Sequence, residues 1–243
     1  MFLKSVQSVS SVVIPRIEPE NHAMKPISAS LTHLVQPPRV DGDGPHPAVI
    51  LLHGRGADEH DLLGLAPSLD PRLLVISARA PFPFQQGGGY AWYDVIEVGA
   101  PHPQMFAESY DRLAKFVDEI AGGYSANPVC VFLLGFSMGT VMSHAIALTQ
   151  PAKIAGVVAH SGYLPPVEEL NLRFRLGDLK GRAWFVAHGV YDPIIPIRFG
   201  RETRDLLKDT GADLTYQEYP IAHQISQRSL DDLSAWLTAR IDA

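Results

Sequence analysis

The sequence predicts an α/β fold in which a mostly parallel central sheet carries helices on both faces. Short apolar runs rich in β-branched residues alternate with longer amphipathic stretches, which is the order that βαβ units require. Most of the short runs are almost continuously apolar, as expected of parallel strands that are buried on both faces. The 243 residues, of which 46% are hydrophobic, are enough for one large domain.

Seven apolar runs predict the strands of this sheet. The first run alternates between apolar and polar residues, which suits a strand near the sheet edge. In chain order the predicted strands cover residues 27–36, 48–54, 73–78, 129–136, 154–162, 183–189 and 214–220. Stretches with apolar residues at three-to-four spacing lie between them and predict crossover helices. These helices are predicted over residues 58–69, 107–123, 138–150, 196–211 and 226–241.

Two segments, residues 81–104 and 163–182, fall outside this alternation. Residues 81–104 are rich in Pro, Gly and aromatic residues, which is more typical of a functional loop than of a linker. Their exposed aromatic and Pro residues could line a pocket or support a homodimer. At the N-terminus we expect residues 1–25 to be a flexible extension, so that residues 26–243 form a single domain.

Composition and charge narrow the classes of function. The net charge of -6 comes without any block of Lys or Arg, so we expect neither a nucleic-acid nor an anionic-membrane partner, and small neutral or weakly charged ligands fit better. No run of eighteen apolar residues predicts a membrane span, and the N-terminus matches a signal peptide poorly. The single cysteine, Cys130, cannot form an internal disulfide. Together these features favour a cytoplasmic protein.

Ser137 is the first candidate catalytic residue. It lies between Gly135 and Gly139 at the point where a predicted buried strand turns directly into a predicted helix. Such a turn forces its middle residue into a strained conformation that exposes the side chain, and the flanking glycines relieve the crowding. The pattern favours a nucleophilic serine over a serine in an ordinary turn.

A nucleophilic serine needs a base, and the base needs a carboxylate that orients it. Asp192 follows a buried strand in "VAHGVYDPIIP", and His223 follows the last strand in "EYPIAHQIS". The chain order Ser, Asp, His is the one that this architecture uses. Because the carboxyl ends of parallel strands meet at one edge of the sheet, we expect the three residues to converge there.

Other polar residues are weaker candidates for this chemistry. His160 and His188 end buried strands and are expected to form structural hydrogen bonds, and His144 lies two helical turns beyond Ser137. Asp94 and Asp178 lie in predicted loops, where they suit caps or turns. The sequence contains neither a zinc-binding motif nor a phosphate-binding loop, so no metal ligand is predicted.

Acyl transfer also needs amide donors where the oxyanion develops. The glycine-bearing turn in "LLHGRGADEHDLL" follows the first buried strand and supplies the amide of Arg55, and Met138 supplies the amide that follows the serine. The Arg55 side chain itself is either solvated or steers an acidic substrate.

The motifs "LHGRGADEHDLLGLA", "AWYD", "GFSMGT", "SGYLP", "HGVYDPIIP" and "AHQIS" resemble, in order and spacing, the carboxylesterase and acyl-protein thioesterase family of α/β-hydrolases, over roughly residues 28–240. The resemblance implies an α/β-hydrolase fold without a lid and a reaction that needs no cofactor. It also implies the residues of the site. They are a catalytic triad of Ser137, Asp192 and His223, oxyanion amides of Arg55 and Met138, and an acyl groove lined by Trp92, Leu164 and Ile194.

Three departures from the family pattern concern substrate preference more than mechanism. Met138 replaces the usual glutamine, while Thr140 and Ala222 stand where glycine is common. The leading hypothesis is a serine carboxylesterase for short to medium acyl esters that works through an acyl-enzyme. An acyl-protein or small-molecule thioesterase would use the same residues, and a ligand-binding protein without turnover is the remote alternative.

Overall fold

The structure is a computed structural model that describes residues 25–40, 44–85 and 87–242. Its strands are β1 (His33–Gln36), β2 (His46–Leu52), β3 (Leu74–Ala78), β4 (Phe82–Pro83), β5 (Tyr90–Ala91), β6 (Val95–Glu97), β7 (Ala100–Pro101), β8 (Ala126–Phe136), β9 (Gly156–His160), β10 (Ala183–Gly189) and β11 (Asp213–Tyr219). Its α-helices are α1 (Pro103–Gly123), α2 (Met138–Thr149), α3 (Arg198–Leu207) and α4 (Gln227–Ile241). Residues 1–24 of the predicted extension lie outside the described residues, and the single-domain boundary at residue 26 stays a prediction.

Seven strands form the central sheet in the order β1-β3-β2-β8-β9-β10-β11. The edge strand β1 pairs with β3 in the antiparallel direction, and every other pair of neighbours in this sheet is parallel. The predicted mostly parallel sheet is therefore confirmed, with the alternating first strand at its edge. Because all strands of this sheet except β1 run in the same direction, their carboxyl ends share one edge of the sheet.

Both faces of the sheet are buried, which explains the nearly continuous apolar sequence of its strands. In β2 the side chains of Ala48, Ile50 and Leu52 pack into one core, and those of Val49 and Leu51 pack into the other. The first core lies against α1, α2 and α3, and the second lies against α4. In the described part of the chain, no helix combines the length and the apolar character needed to cross a bilayer.

The structure differs from the sequence prediction in two connecting segments. The segment predicted as a helix over residues 58–69 is instead a short 3₁₀ helix, Leu62–Ser68. Pro67 lies inside it and has no amide hydrogen to donate, which disfavours a regular α-helix at this position. The predicted loop over residues 81–104 is partly ordered, since β4 pairs with β5 and β6 pairs with β7.

Helix α1 also begins earlier than predicted, at Pro103 rather than at residue 107. Proline suits the first helical position, because its missing amide hydrogen would have no partner there. The ring of His102 caps this end, where its Nδ1 accepts a hydrogen bond from the Met105 amide at 3.5 Å. The apolar spacing alone did not contain this boundary signal.

The turn from β8 into α2 is packed tightly, and its two glycines have no room for a side chain. A Cβ atom added to Gly139 would overlap the carbonyl oxygen of Leu52, and one added to Gly135 would lie 2.5 Å from the carbonyl oxygen of Gly139. These obstacles are backbone atoms, which cannot rotate away. The two glycines therefore allow the helix to start directly above the sheet.

We expect Gly139→Ala to lower the free energy of unfolding by at least about 3 kcal/mol, because the added methyl group overlaps main-chain atoms. Gly64→Ala is the matched control, since nothing lies within 4 Å of the position of its added Cβ. Thermal and urea denaturation followed by circular dichroism would measure both variants. Equal stability of the two variants would contradict this account of the turn.

Candidate active site

Ser137, Asp192 and His223 meet above the carboxyl edge of the sheet. Ser137 directly follows β8, Asp192 lies three residues beyond the end of β10, and His223 lies between β11 and α4. The strand order places β8, β9, β10 and β11 side by side, so the loops after β8, β10 and β11 open on the same side of the molecule. This is the convergence that the chain order of the three residues predicts.

The backbone of Ser137 is strained. Its φ of 55° and ψ of -116° are unfavourable for a residue with a Cβ atom. The surrounding turn holds this conformation, because the Ser137 amide donates to the His160 carbonyl oxygen at 3.0 Å. The hydroxyl of Thr140 lies 2.7 Å from the Gly135 carbonyl oxygen and 2.8 Å from that of His160. A threonine thus bridges β8 and β9 at the position where glycine is common.

A chain of hydrogen bonds joins the three side chains. The Nδ1 atom of His223 lies 2.7 Å from Oδ2 of Asp192, and Nε2 of His223 lies 2.9 Å from the hydroxyl oxygen of Ser137. When Nδ1–H donates to the carboxylate, Nε2 is left to accept the serine proton. The Asp192 side chain is fully buried, whereas that of His223 is 17% exposed and can be reached by a substrate.

The carboxylate of Asp192 is stabilised in its charged form despite its burial. Burial disfavours the charge, but the hydrogen bond from His223 and the amides of Ile194 and Ile195 outweigh it and hold the Asp192 pKa below its usual value. Both amides donate to Oδ1 at 2.9 Å. Oδ2 is thereby left for His223, so the carboxylate orients the imidazole.

His188 supports the loop that carries Asp192. Its Nε2 lies 2.7 Å from the carbonyl oxygen of Ile195 and 3.6 Å from Oδ2 of Asp192. Burial lowers the pKa of His188, which favours the neutral ring with its proton on Nε2. Gly200 of α3 makes room for the ring, because an added Cβ would lie 2.8 Å from Nδ1. The structural hydrogen bond predicted for His188 is present, but its closeness to Asp192 was not foreseen.

The remaining candidates serve structure. His160 is fully buried between the hydroxyls of Ser161 and Ser229, and burial lowers its pKa to about 3. His144 is buried in α2, where desolvation likewise lowers its pKa to about 3. Asp178 accepts a hydrogen bond from the Arg175 guanidinium at 2.7 Å.

Asp94 lies in the connection between β5 and β6. Its side chain is exposed, and its carbonyl oxygen accepts a hydrogen bond from the His102 amide at 2.8 Å. That amide belongs to the residue that caps α1, so this contact links the connection to the start of the helix. The turn role expected from the sequence agrees with this contact.

The two predicted oxyanion donors flank the serine. Met138 is the first residue of α2, so its amide is one of those that lack an intrahelical partner. An added Cβ on Gly54 would lie 3.4 Å from Cβ of Ser137, which brings the turn with Arg55 against the nucleophile. Within the described part of the chain, neither the Met138 nor the Arg55 amide donates a hydrogen bond to another residue. Both remain available to a bound oxygen.

The hairpin β4–β5 holds the Arg55 turn in place. The Gly56 amide donates to the Tyr90 carbonyl oxygen, and the Tyr90 amide donates to that of Ala57, each at 2.8 Å. Gly89 approaches this turn so closely that an added Cβ would overlap the carbonyl oxygen of Gly56. Its φ of 69° is also one that glycine adopts easily. The Gly-rich part of the loop therefore packs against the turn.

A partly buried ion pair supports the same hairpin. The Nε atom of Arg79 donates to Oε2 of Glu59 at 2.6 Å, and its guanidinium carbon lies 4.6 Å from the ring centroid of Tyr90. Glu59 also belongs to the one group of three candidate metal ligands among the described residues, together with Asp58 and His60. Since Arg79 binds both oxygens of Glu59, this group does not indicate a metal site.

Trp92 is buried behind the site. The resemblance implies that its side chain lines an acyl groove, but the ring is fully buried and its Nε1 donates to the His53 carbonyl oxygen at 3.0 Å. Its amide contacts the sulfur of Met138 at 3.3 Å. The structure therefore gives Trp92 a packing role, and the methionine that replaces glutamine turns towards the interior.

Leu164 and Ile194 are more accessible than Trp92. Leu164 is half-buried, and Ile194 is 42% exposed two residues after Asp192. Tyr191, on the other side of Asp192, is 70% exposed. An apolar surface therefore adjoins the Asp192 loop.

Comparisons with known proteins agree with this architecture. The profile described as Phospholipase/Carboxylesterase matches residues 38–241. Acyl-protein thioesterase 1 of Candida albicans is 30% identical over 212 residues, which is 79% of this chain and 91% of the relative. A carboxylesterase structure from Bacillus cereus has a TM-score of 0.76 at 24% identity and covers 86% of this chain and 94% of its own. A carboxylesterase structure from Mesorhizobium loti has a TM-score of 0.77 at 20% identity. The match covers 90% of this chain and 99% of that structure's chain.

The sheet and these structural neighbours define an α/β-hydrolase fold. The chain belongs to the phospholipase/carboxylesterase family. It is accordingly a serine hydrolase of the esterase and thioesterase class.

At position 137 we expect a Ser137→Gly variant to be more stable than Ser137→Ala by about 1 kcal/mol. Glycine adopts the observed φ and ψ without a Cβ clash. We expect the release of backbone strain to exceed the extra conformational entropy that glycine loses on folding. Urea denaturation of the two variants, which lack the hydroxyl alike, would measure the difference. Lower stability of Ser137→Gly would show that the turn is not strained.

Proposed function

We propose that the protein is a serine carboxylesterase that hydrolyses short to medium acyl esters of small molecules through an acyl-enzyme. The observation that supports this most directly is the hydrogen-bond chain from Asp192 through His223 to Ser137, with distances of 2.7 and 2.9 Å. Hydrogen bonds of this length suit a serine that loses its proton to the imidazole as it attacks.

In the proposed acylation step, the Ser137 oxygen attacks the ester carbonyl carbon while Nε2 of His223 takes the hydroxyl proton. The Arg55 and Met138 amides donate to the oxygen that becomes negative, and such donors contribute roughly 3 to 4 kcal/mol each to transition-state stabilisation. Asp192 stays ionised and stabilises the imidazolium. The proton then passes from Nε2 to the leaving alcohol, and the acyl group remains on Ser137.

Deacylation repeats these steps with water in place of the serine. Nε2 of His223 takes a proton from water, whose oxygen attacks the acyl carbon, and the same two amides stabilise the second oxyanion. The proton returns to Ser137 as the acid leaves. Leu164 and Ile194 are proposed to contact the acyl chain, because they are the accessible apolar residues of the predicted set.

A thioesterase is the second candidate function. The relative from Candida albicans is named an acyl-protein thioesterase, and a thioester would pass through the same two oxyanions. A non-catalytic ligand-binding protein is less well supported, because such a role does not require the serine and imidazole to be within hydrogen-bonding distance. The rates on an ester and on its matched thioester distinguish the carboxylesterase from the thioesterase.

Two finer proposals depend on the sequence. The single cysteine, which cannot form an internal disulfide, favours a cytoplasmic location. A homodimer through the aromatic and Pro residues of the 81–104 loop is proposed on the composition of that loop. Subcellular fractionation and light scattering would test these proposals.

The first test is steady-state hydrolysis of p-nitrophenyl esters from acetate to palmitate. We expect kcat/KM to be highest for short to medium chains and to fall by roughly six orders of magnitude in Ser137→Ala, which removes the nucleophile. Circular dichroism would verify that the variant is folded. A matched pair of butyryl ester and butyryl thioester gives the preference between the two bond types.

Turnover that survives in folded Ser137→Ala would contradict the proposed mechanism. A kcat/KM that is a hundredfold higher for the thioester would reverse the order of the two candidate functions. Absence of turnover on every ester and thioester would instead favour a binding role.

His188 gives a second test of the mechanism. We expect His188→Leu to lower kcat by roughly tenfold to a hundredfold with little change in KM, because the loop that orients Asp192 loses its Nε2–H donor. His188→Gln places an amide N–H near the same position and should recover part of the rate. His144→Leu controls for replacement of a buried histidine. Equal losses in the Leu and Gln variants would contradict the positioning role.

A further inference from the structure

Arg55 presents a positive charge at the predicted oxyanion turn. Its side chain is exposed, and its guanidinium carbon lies 5.2 Å from the ring centroid of Phe84. Seven of the thirteen described arginines form ion pairs with carboxylates, and Arg55 is among the six that do not. The Arg55 charge therefore has no counter-ion among the described residues.

Two buried tyrosines pair through their hydroxyls. The hydroxyl oxygens of Tyr93 and Tyr163 are 3.2 Å apart, and both side chains are at least nine-tenths buried. One hydroxyl donates to the other, so one O–H of the pair has no acceptor among the described residues. Buried donors without an acceptor are costly, which makes this O–H a candidate for a ligand.

The chain segments that carry Arg55 and Tyr163 both approach Ser137. An added Cβ on Gly162 would lie 2.9 Å from the carbonyl oxygen of Ser137, so the segment with Tyr163 runs beside the nucleophile. Burial raises the pKa of both tyrosine hydroxyls, and the charge of Arg55 acts on both in the opposite direction. An added Cβ on Gly54 would also lie 3.4 Å from Cβ of Ser137, so the Arg55 turn and the Tyr163 segment both adjoin the nucleophile.

We propose that Arg55 and the Tyr93–Tyr163 pair form a subsite for a carboxylate on the substrate ester. This inference rests on the proposed esterase function and specifies its substrate class. A guanidinium donates two parallel hydrogen bonds to a carboxylate, and the unpartnered O–H supplies a third donor. A local positive charge also attracts an anionic ester to a protein whose net charge is -6.

The carboxylate can belong to either part of the ester. A half-ester of a dicarboxylic acid carries it on the acyl side, and an ester of a hydroxy acid carries it on the alcohol side. The same three donors would bind both. Matched substrates therefore need one pair for each side, in which a carboxamide replaces the carboxylate with little change in shape.

The experiment measures kcat/KM for monomethyl glutarate against methyl 4-carbamoylbutanoate, and for acetoxyacetate against acetoxyacetamide. We expect the charged member of one pair to be preferred by roughly tenfold or more. The ratio of the two kcat/KM values should fall towards one in Arg55→Gln and decrease in Tyr163→Phe. In Arg55→Lys part of the preference should persist. It should also shrink as salt is added.

The ratio within a pair is the readout, because Arg55 also supplies a main-chain amide to the proposed oxyanion hole. Any effect of a variant on the shared chemical step cancels in that ratio. Tyr191→Phe is the control, since its exposed hydroxyl lies outside the subsite and its loss should not change the ratio. No preference in the native protein, or a preference that Arg55→Gln retains, would overturn the proposal.

A failure of the esterase function would be recognised separately. If neither member of either pair is turned over, the proposed function fails, and calorimetry with monomethyl glutarate and methyl 4-carbamoylbutanoate then decides the subsite. Tighter binding of the carboxylate to the native protein, with the difference lost in Arg55→Gln, would support the subsite. Equal binding of the two compounds would overturn it.

Discussion

The close approach of α2 to β2 is the constraint on which the rest of the site depends. Gly139 lies against the main chain at Leu52 without space for a Cβ atom, so the helix starts directly above the sheet. This placement forces Ser137 into its strained backbone conformation and directs its hydroxyl to the carboxyl edge. The Met138 amide and the Arg55 turn are brought beside the serine by the same contact.

The polar groups around Ser137 are held by partners that keep them in fixed orientations. Asp192 accepts hydrogen bonds from two amides and from His223, and His188 binds the loop that supplies one of those amides. Because these groups are desolvated, each hydrogen bond is stronger than it would be in water, and a missing partner would be costly. The site thus combines a rigid interior with an accessible imidazole.

The outer part of the site is built differently. Arg55, Ile194 and Tyr191 are exposed on loops, where their side chains contact few neighbours. Such residues can change without cost to the core, so they are where substrate preference can diverge between members of one family. Met138 and Trp92, by contrast, lie in the interior. There the sulfur of the methionine that replaces the usual glutamine contacts the Trp92 amide.

The sequence by itself determined the parallel sheet and the convergence of Ser137, Asp192 and His223, because apolar periodicity and chain order carry that information. It did not determine the 3₁₀ helix at Leu62–Ser68, in which the local effect of Pro67 prevails over the apolar spacing. Only the tertiary structure decided that Trp92 is buried and that His188 reaches the Asp192 loop. These features depend on contacts between residues far apart in the chain or on the path of a loop, which no local pattern encodes.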